Sequence, residues 1–194
     1  MSTKKIKTYH GTPLHFAMIS NKRKEIIKLI DENIDQVMMK DSNEEYPLVL
    51  AVRYECGYDV VKKLLTIYPN VLKDIIWIDN KTNVMHYIIE SCTEHEKLEY
   101  YIDLICGQNK ELLNLRDHKK RNPLQLVCVV GHLCENDKHV AIKKFLLFPD
   151  IDINNQDING NTALQLCHWK LIPVFFSYEG INLDIQDKNG YSVL

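Results

Sequence analysis

The sequence predicts an all-α fold of stacked turn, helix, helix units, five of them complete and a sixth begun. One observation is a short motif, clearest at residues 11–17, that returns in degenerate form along the whole chain. Its central apolar residue recurs every 30 to 40 residues, the signature of a repeat array. A second observation is that a helix-like apolar stripe follows each of the first four copies. The recurring residues are Leu14, Leu48, Met85, Leu124, Leu164 and Leu194.

The motif itself predicts the first helix of each unit. Thr12 can cap that helix with its hydroxyl group, and Pro13 at the first helical position loses no needed hydrogen bond. Leu14 and Ala17 then lie on one face, at i and i+3, where they can pack against the next unit.

The second helix of each unit is predicted by apolar residues spaced three, four and seven apart. Lysines occupy the positions between them, and we interpret these as a solvated helix face. We expect Pro173 to open the fifth of these helices. The other four stripes are Ile26, Ile27, Leu29 and Ile30; Val60, Val61, Leu64 and Leu65; Tyr101, Leu104 and Ile105; and Val140, Ile142, Phe145, Leu146 and Leu147.

Tight turns are predicted between the units. Residues 152–160 and 182–190 both run from an extended segment through Asp to a terminal Asn-Gly, and Gly and Asn tolerate a positive φ. Asp41, Asp79 and Asp117 begin the other turns. There Glu45, Thr82 and Arg121 are expected to stand in place of the glycine, which predicts strained or differently shaped turns.

The motif Thr12-Pro13-Leu14-His15-Phe16-Ala17, with its degenerate copies and its connectors, resembles the ankyrin-repeat family over almost the entire chain. The resemblance implies a solenoid of helix-turn-helix units with β-hairpin fingers and a concave face. It also implies that His15 and His86 hydrogen-bond the backbone of a neighbouring repeat, as Gln125 and Gln165 could. The expected organisation is a basic tail at 1–8 and one array at 9–194, with repeats at 9–41, 42–78, 79–116, 117–156, 157–186 and an incomplete 187–194.

Departures from a regular period mark further features. Extra residues fall at 71–76, 91–97 and 133–138, and insertions in arrays map to loops, often near the binding face. The pattern breaks off within a repeat at Leu194, and a solenoid end without a polar cap exposes apolar surface. We therefore expect this chain to be part of a longer protein.

Composition excludes several functional classes. The chain is 45% apolar with a formal net charge of −2, which gives no general reason to expect nucleic acid as a partner. No apolar run approaches the roughly 20 residues that span a bilayer, and no signal peptide is apparent. Six scattered cysteines indicate reduced thiols and a cytoplasmic location, which would be the host cytoplasm for a secreted effector.

Two constellations could carry chemistry. Cys128, His132, Cys134 and His139 could supply two thiolates and two imidazoles to zinc, but their spacing lacks the paired Cys-x-x-Cys of structural sites. Cys92-Thr93-Glu94-His95 is a weaker version. We expect helix packing for Cys128 and no metal or cofactor. Neither a Gly-x-Ser-x-Gly elbow nor a phosphate loop is present, so no enzymatic activity is predicted.

One turn carries a basic cluster. Arg116, Lys119, Lys120 and Arg121 surround Asp117, which suggests either an electropositive tip for an acidic partner or phosphate, or simply a solvated turn. Separately, the aromatic residues Trp77, Trp169 and Tyr54 are candidates for exposed interface anchors or for core packing.

The resemblance implies a monomeric, non-catalytic module that binds a partner protein through its concave face and fingertips. It suggests an effector of an intracellular bacterial pathogen, or a viral protein, acting on host proteins without contacting nucleic acid or membrane. The alternative is a targeting domain of a larger enzyme whose catalytic domain lies beyond residue 194. The nominated partner-binding residues are Asn43, Glu44, Arg53, Tyr54, Lys81, Glu90, Lys119, Lys120, Arg121, Asn159 and Trp169.

Overall fold

The computed structural model describes residues 9–73, 83–92 and 95–193. Within these ranges the chain forms ten α-helices and four short 3₁₀ helices, with no β-strand. The predicted all-α class is therefore confirmed. The chain divides into two compact units, Met1–Val71 and Leu72–Leu194.

The first unit contains two helix pairs. Its α-helices are α1 (Pro13–Ile19), α2 (Arg23–Glu32), α3 (Pro47–Arg53) and α4 (Tyr58–Ile67), with a 3₁₀ helix at Ile34–Met38 after α2. Helix α1 packs on α2 and α3, and α3 packs on α4. Leu14, Ile26, Ile30, Val60 and Leu65 are fully buried between them, as the helical spacing predicts. A 3₁₀ helix at Pro69–Lys73 follows α4.

The second unit repeats this arrangement. Helix α5 packs on α6 and α7, α7 on α8 and α9, and α6 on α8, which gives neighbouring pairs one continuous core. The α-helices are α5 (Val84–Ser91), α6 (His95–Gln108), α7 (Pro123–Val129), α8 (Glu135–Leu146), α9 (Ala163–Leu166) and α10 (Ile172–Phe175), with 3₁₀ helices at Lys110–Leu113 and Trp169–Leu171. Tyr101, Ile105, Ile142 and Phe145 from the predicted stripes are buried here.

A His or Gln in the third position of four first helices links its helix to the turn that follows. Each side chain reaches the carbonyl oxygen of the last residue of that turn, across a separation of 26 to 36 residues. Burial lowers the pKa of His15 and of His86, so both rings are neutral at physiological pH. The four contacts are His15 Nε2 to Glu45 O (3.3 Å), His86 Nε2 to Arg121 O (3.0 Å), Gln125 Nε2 to Asn161 O (2.7 Å) and Gln165 Nε2 to Tyr191 O (2.9 Å).

The turns share one five-residue geometry. In each, the leading Asp accepts backbone N–H bonds from the third and fifth residues through Oδ1, and its own N–H donates to the fifth carbonyl. A helix N-cap residue follows three of these turns directly. The described turns, which are 41–45, 117–121, 157–161 and 187–191, contain no β-strand, so the structure shows the all-α class but not the expected β-hairpin fingers.

The fourth residue of each turn has a positive φ. It is Gly160 and Gly190 in two turns, each with φ 85°, and Glu44 (62°) and Lys120 (59°) in the other two. The sequence prediction placed Glu45 and Arg121 at the glycine position, which is wrong by one residue. A non-glycine residue in this region costs about 1–2 kcal/mol, so the expected strain is present but lies at Glu44 and Lys120.

Candidate functional site

Three turns of the second unit form a continuous edge, which we call the turn row (117–121, 157–161 and 187–191). The N–H of Ile158 donates to the carbonyl of Lys119 at 2.7 Å, and the N–H of Lys188 donates to the carbonyl of Asn159 at 2.9 Å. Arg116 strengthens the first link, since its guanidinium donates to the carbonyls of Lys120 and Gln156. The backbone of the row is thereby fixed from turn to turn.

The carboxylates of the row are used inside the turns. Burial alone would raise the pKa of Asp117, but hydrogen bonds from the Arg121 side chain and backbone outweigh it and hold that pKa below its ordinary value. The backbone N–H of Tyr191 likewise lowers the pKa of Asp187. Both groups are therefore ionised at neutral pH and accept hydrogen bonds within their own turns.

The basic cluster divides into structural and free cations. The guanidinium of Arg121 lies 2.6 Å from Asp117 Oδ2, and its side chain is only 11% exposed. The prediction that Arg121 is a surface cation is therefore wrong, because the charge is neutralised within its own turn. Arg116 is also occupied by backbone carbonyls. Lys119 and Lys120 are exposed, and their ammonium groups have no partner among the residues that the structure describes.

An open cleft of about 320 Å³ adjoins the last two turns of the row, and we call it the aromatic cleft. Its rim carries two of the most exposed aromatic side chains of the described chain, Trp169 (68%) and Tyr191 (72%). Exposed aromatic side chains of this kind are typical interface anchors. The cleft is lined by Asn161, Leu164, Gln165, Cys167, Trp169, Ile172, Asp187, Tyr191, Ser192 and Val193.

Trp169 is held by the first residue of α8. Glu135 accepts from His168 Nδ1 and from Lys170 Nζ, both at 3.0 Å, and so fixes the residues on either side of the tryptophan. Lys170 Nζ lies 5.7 Å from the centre of the Trp169 ring, within cation–π range. The bond from Lys170 lowers the pKa of Glu135, which keeps this clamp charged at neutral pH.

The floor of the cleft is fixed by Gln165. Its amide nitrogen donates to the carbonyl of Tyr191 at 2.9 Å and to that of Ile185 at 3.1 Å. The thiol of Cys167 donates to Leu164 O, and burial raises its pKa to about 11, so it is protonated at neutral pH. The cleft therefore presents aromatic and amide groups without a thiolate nucleophile.

Four nominated residues lie in the first unit. Asn43 and Glu44 are exposed in the turn 41–45, where Lys40 Nζ lies 3.7 Å from Glu44 Oε2. Arg53 is not a free cation, since it forms a bidentate pair with the buried carboxylate of Glu45, with one contact at 2.6 Å. Tyr54 follows at the end of α3 and is 37% exposed.

The remaining nominated residues are divided among three places. Asn159 is an exposed tip of the turn row, and Trp169 forms the rim of the aromatic cleft. Glu90 is exposed near the end of α5, outside the lining of that cleft. Lys81 lies outside the described residues, as do Trp77, Asp79 and the tail 1–8.

The candidate zinc ligands occupy packing and capping positions. Cys128 is buried and donates to Leu124 O at 3.4 Å, and burial raises its pKa well above that of a free thiol. Cys134 precedes the first turn of α8, His132 is exposed and His139 is half-buried. Across the described ranges, no three His, Cys, Asp or Glu side chains come together as a metal site would require. The expectation of no metal stays a prediction.

Sequence reasoning missed Ile158, Lys188 and Tyr191. Each can be found by aligning the turns on their leading Asp, which places Ile158 and Lys188 at the second position and Tyr191 at the fifth. The same alignment, applied consistently, would have placed Glu44 and Lys120 at the glycine position.

The fold therefore defines an all-helical protein of turn, helix, helix units with an exposed turn row. No protein-family model and no curated protein matches the chain. Among solved structures 232 chains resemble it, so the fold is a widespread one. One belongs to a structure of a predatory endopeptidase from Bdellovibrio bacteriovorus in complex with an immunity protein: the TM-score is 0.59 and the identity 24%, with 80% of this chain and 72% of that chain covered. At this identity the likeness concerns the fold alone.

These comparisons correct the family prediction. The structural neighbour is described as an endopeptidase and immunity-protein complex rather than as an ankyrin-repeat protein, no family model matches, and the described ranges contain no hairpin strand. The assignment to the ankyrin-repeat family is therefore wrong. Asp turns, N-caps and a Pro at the first helical position specify a turn followed by a helix, which is a local signal and does not define a family.

The function prediction is corrected with it. The non-catalytic effector acting on host proteins, and the alternative of a targeting domain for a downstream enzyme, both rested on the family resemblance. The structural neighbour is an enzyme complex with an immunity protein, which favours neither description. Independently, no helix in the part of the chain that the structure describes is long and apolar enough to span a membrane.

Proposed function

We propose that this chain binds a partner protein through the turn row and the aromatic cleft of its second unit. The observation that carries the proposal is that the backbone of the row is hydrogen-bonded internally while its tip side chains are exposed. Its backbone and its carboxylates are engaged in internal hydrogen bonds, while the tip side chains and two aromatic rings are exposed. A surface that is already fixed loses little conformational entropy when a partner binds.

Two further observations support a protein partner. Glu135 pairs with the neighbours of Trp169 on both sides, His168 and Lys170, and Lys170 lies within cation–π range of the Trp169 ring. The fold is also shared with a chain from a structure of two proteins in complex. Truncation of a central aromatic anchor typically costs about 2 kcal/mol or more of binding free energy.

The experiment is capture from a lysate of the source cells with the full chain as bait, quantified by mass spectrometry. Wild type is compared with Trp169→Ala and with Phe176→Ala, a control that removes another exposed aromatic ring, 56% against 68% exposed, outside the cleft lining. A photo-crosslinking amino acid placed at Asn189, on the third tip, should attach covalently to the partner.

The expected result is one or more proteins that bind wild type and Phe176→Ala equally, crosslink from Asn189, and are reduced about tenfold or more with Trp169→Ala. The proposed surface would be refuted if the captured proteins bind Trp169→Ala as well as wild type and do not crosslink from position 189. That the chain is monomeric and has no enzymatic activity stays a prediction, to be tested by light scattering and by a peptidase assay on casein.

A further inference from the structure

The charge of the turn row is uneven, and this unevenness identifies the chemistry of its partner. The three tips read His-Lys-Lys at 118–120, Ile-Asn-Gly at 158–160 and Lys-Asn-Gly at 188–190. They carry three lysines and no acidic residue, in a chain whose formal net charge is −2. With its three aspartates and Arg121 included, the whole row has a formal charge of +1, and its positive charge is concentrated at the tips of a slightly acidic molecule.

The carboxylates of the row accept hydrogen bonds within their own turns. Asp117 accepts two backbone N–H groups, both at 2.8 Å, and also binds the Arg121 side chain. Asp157 and Asp187 each accept N–H bonds from the third and fifth residues of their turns at 2.8 and 2.9 Å. Asp117 and Asp157 are buried, so a ligand that approaches the tip at 118–120 meets the lysines first, whereas Asp187 is partly exposed and lines the aromatic cleft.

The turn of the first unit provides a contrast. Its tip reads Ser-Asn-Glu at 42–44, and Glu44 lies near Lys40, so this turn presents no excess of positive charge. The cationic character belongs to the turn row in particular and is not a general property of the turns. Because it adjoins the aromatic cleft, the same surface offers both cations and the exposed rings of Trp169 and Tyr191.

We propose that the partner presents an acidic polypeptide segment, whose carboxylates pair with Lys119, Lys120 and Lys188 and whose apolar side chain enters the aromatic cleft. This inference rests on the proposed function and specifies its partner. Three exposed lysines are too few to bind nucleic acid strongly, since that affinity depends on the number of phosphates neutralised. Two exposed aromatic rings beside the cations match a polypeptide, which can offer acidic and apolar side chains in one segment.

The test uses the full chain and a fluorescent glutamate-rich peptide with one central leucine, compared with its glutamine counterpart. The tip variant Lys119→Gln/Lys120→Gln/Lys188→Gln is compared with Lys24→Gln/Lys62→Gln/Lys143→Gln. This control removes the same charge from exposed lysines on helices α2, α4 and α8. Circular dichroism establishes that both variants are folded.

We expect wild type and control to bind the glutamate peptide, the tip variant to bind it about tenfold more weakly, and the glutamine peptide to bind none of them well. Raising the salt concentration should weaken the binding of the glutamate peptide more for wild type than for the tip variant. Equal losses in the two variants, or tight binding of a DNA duplex that the tip variant loses, would overturn the acidic-peptide assignment. A cellular partner that depends on Trp169 but not on the lysines would overturn this inference and leave the proposed function intact.

Discussion

Two glycines at equivalent positions of adjacent turns provide a test of the turn row. Gly160 and Gly190 both have φ 85°, so alanine meets the same backbone strain at each. Their surroundings differ. A Cβ at Gly160 would lie 2.9 Å from Lys188 N and 3.1 Å from two atoms of Asp187, whereas a Cβ at Gly190 meets nothing within 4 Å. The pair therefore separates local strain from the contact between turns.

The magnitudes follow from these contacts. A left-handed conformation costs a residue with a Cβ about 1–2 kcal/mol. Replacing Gly by Ala also lowers the conformational entropy of the unfolded chain, which stabilises the folded state by about 0.4–1 kcal/mol. Gly190→Ala should thus destabilise by about 1 kcal/mol or less. Gly160→Ala adds a backbone clash of about 1–3 kcal/mol and weakens the bond from Lys188 N to Asn159 O. We expect a total of about 2–4 kcal/mol.

The assay is urea unfolding monitored by circular dichroism and by tryptophan fluorescence, with hydrogen exchange at the Lys188 amide as a local readout. Lys120 is an internal reference, since it occupies the same turn position with a side chain at φ 59°. If alanine at 160 costs no more than alanine at 190, and the Lys188 amide stays protected, the turns are not packed against one another as described.

Three further predictions concern the core, the thiols and pH. Leu64→Ala should cost about 2–5 kcal/mol because the side chain is 1% exposed, whereas exposed Lys62→Ala should stay within about 0.5 kcal/mol; equal urea midpoints would contradict the burial of α4. Cys134, exposed at the start of α8, should react first with a thiol reagent, because burial raises the pKa of the thiols in the core; a fast phase that survives Cys134→Ala would refute this. Asp117 has a lowered folded pKa, so its stabilisation is present at neutral pH and lost as pH falls below the ordinary Asp range. Asp117→Asn should cost about 1–3 kcal/mol at neutral pH by leaving Arg121 unpaired, with the difference shrinking in acid; a difference independent of pH would refute the ionised pair.

The sequence by itself determined the helical class and the buried face of most helices, although Leu147 of the fourth predicted stripe lies just after α8 and is 74% exposed. Apolar residues at helical spacing identify a buried face because burial of apolar surface dominates folding, and this holds whatever the neighbouring element is. Leu14, Ile26 and Phe145 are accordingly fully buried. The places of the turns were also predictable, since Asp, Pro and Gly act on the backbone within a few residues, but the residue with positive φ was misplaced by one position in two of them.

Family and function were not determined in this way. The motif that suggested them consists of local backbone signals, which unrelated helical arrays can share. The sequence prediction placed Arg121 rather than Lys120 at the glycine position. It therefore missed that Arg121 is the fifth residue of its turn, where its guanidinium pairs with Asp117. A side chain one position along a five-residue turn points to a different environment, so a single-residue shift exchanges a buried partner for a free tip.

Only the tertiary structure decided which charges are free. The sequence does not distinguish the four cations of residues 116–121 from one another. In the structure Arg116 and Arg121 are paired within or between turns, whereas Lys119 and Lys120 face solvent. The same applies to the aromatic cleft, where Trp169 and Tyr191 come from different elements 22 positions apart. Such pairings depend on how one turn packs on the next, and that information is carried by contacts between distant residues rather than by the local pattern of the chain.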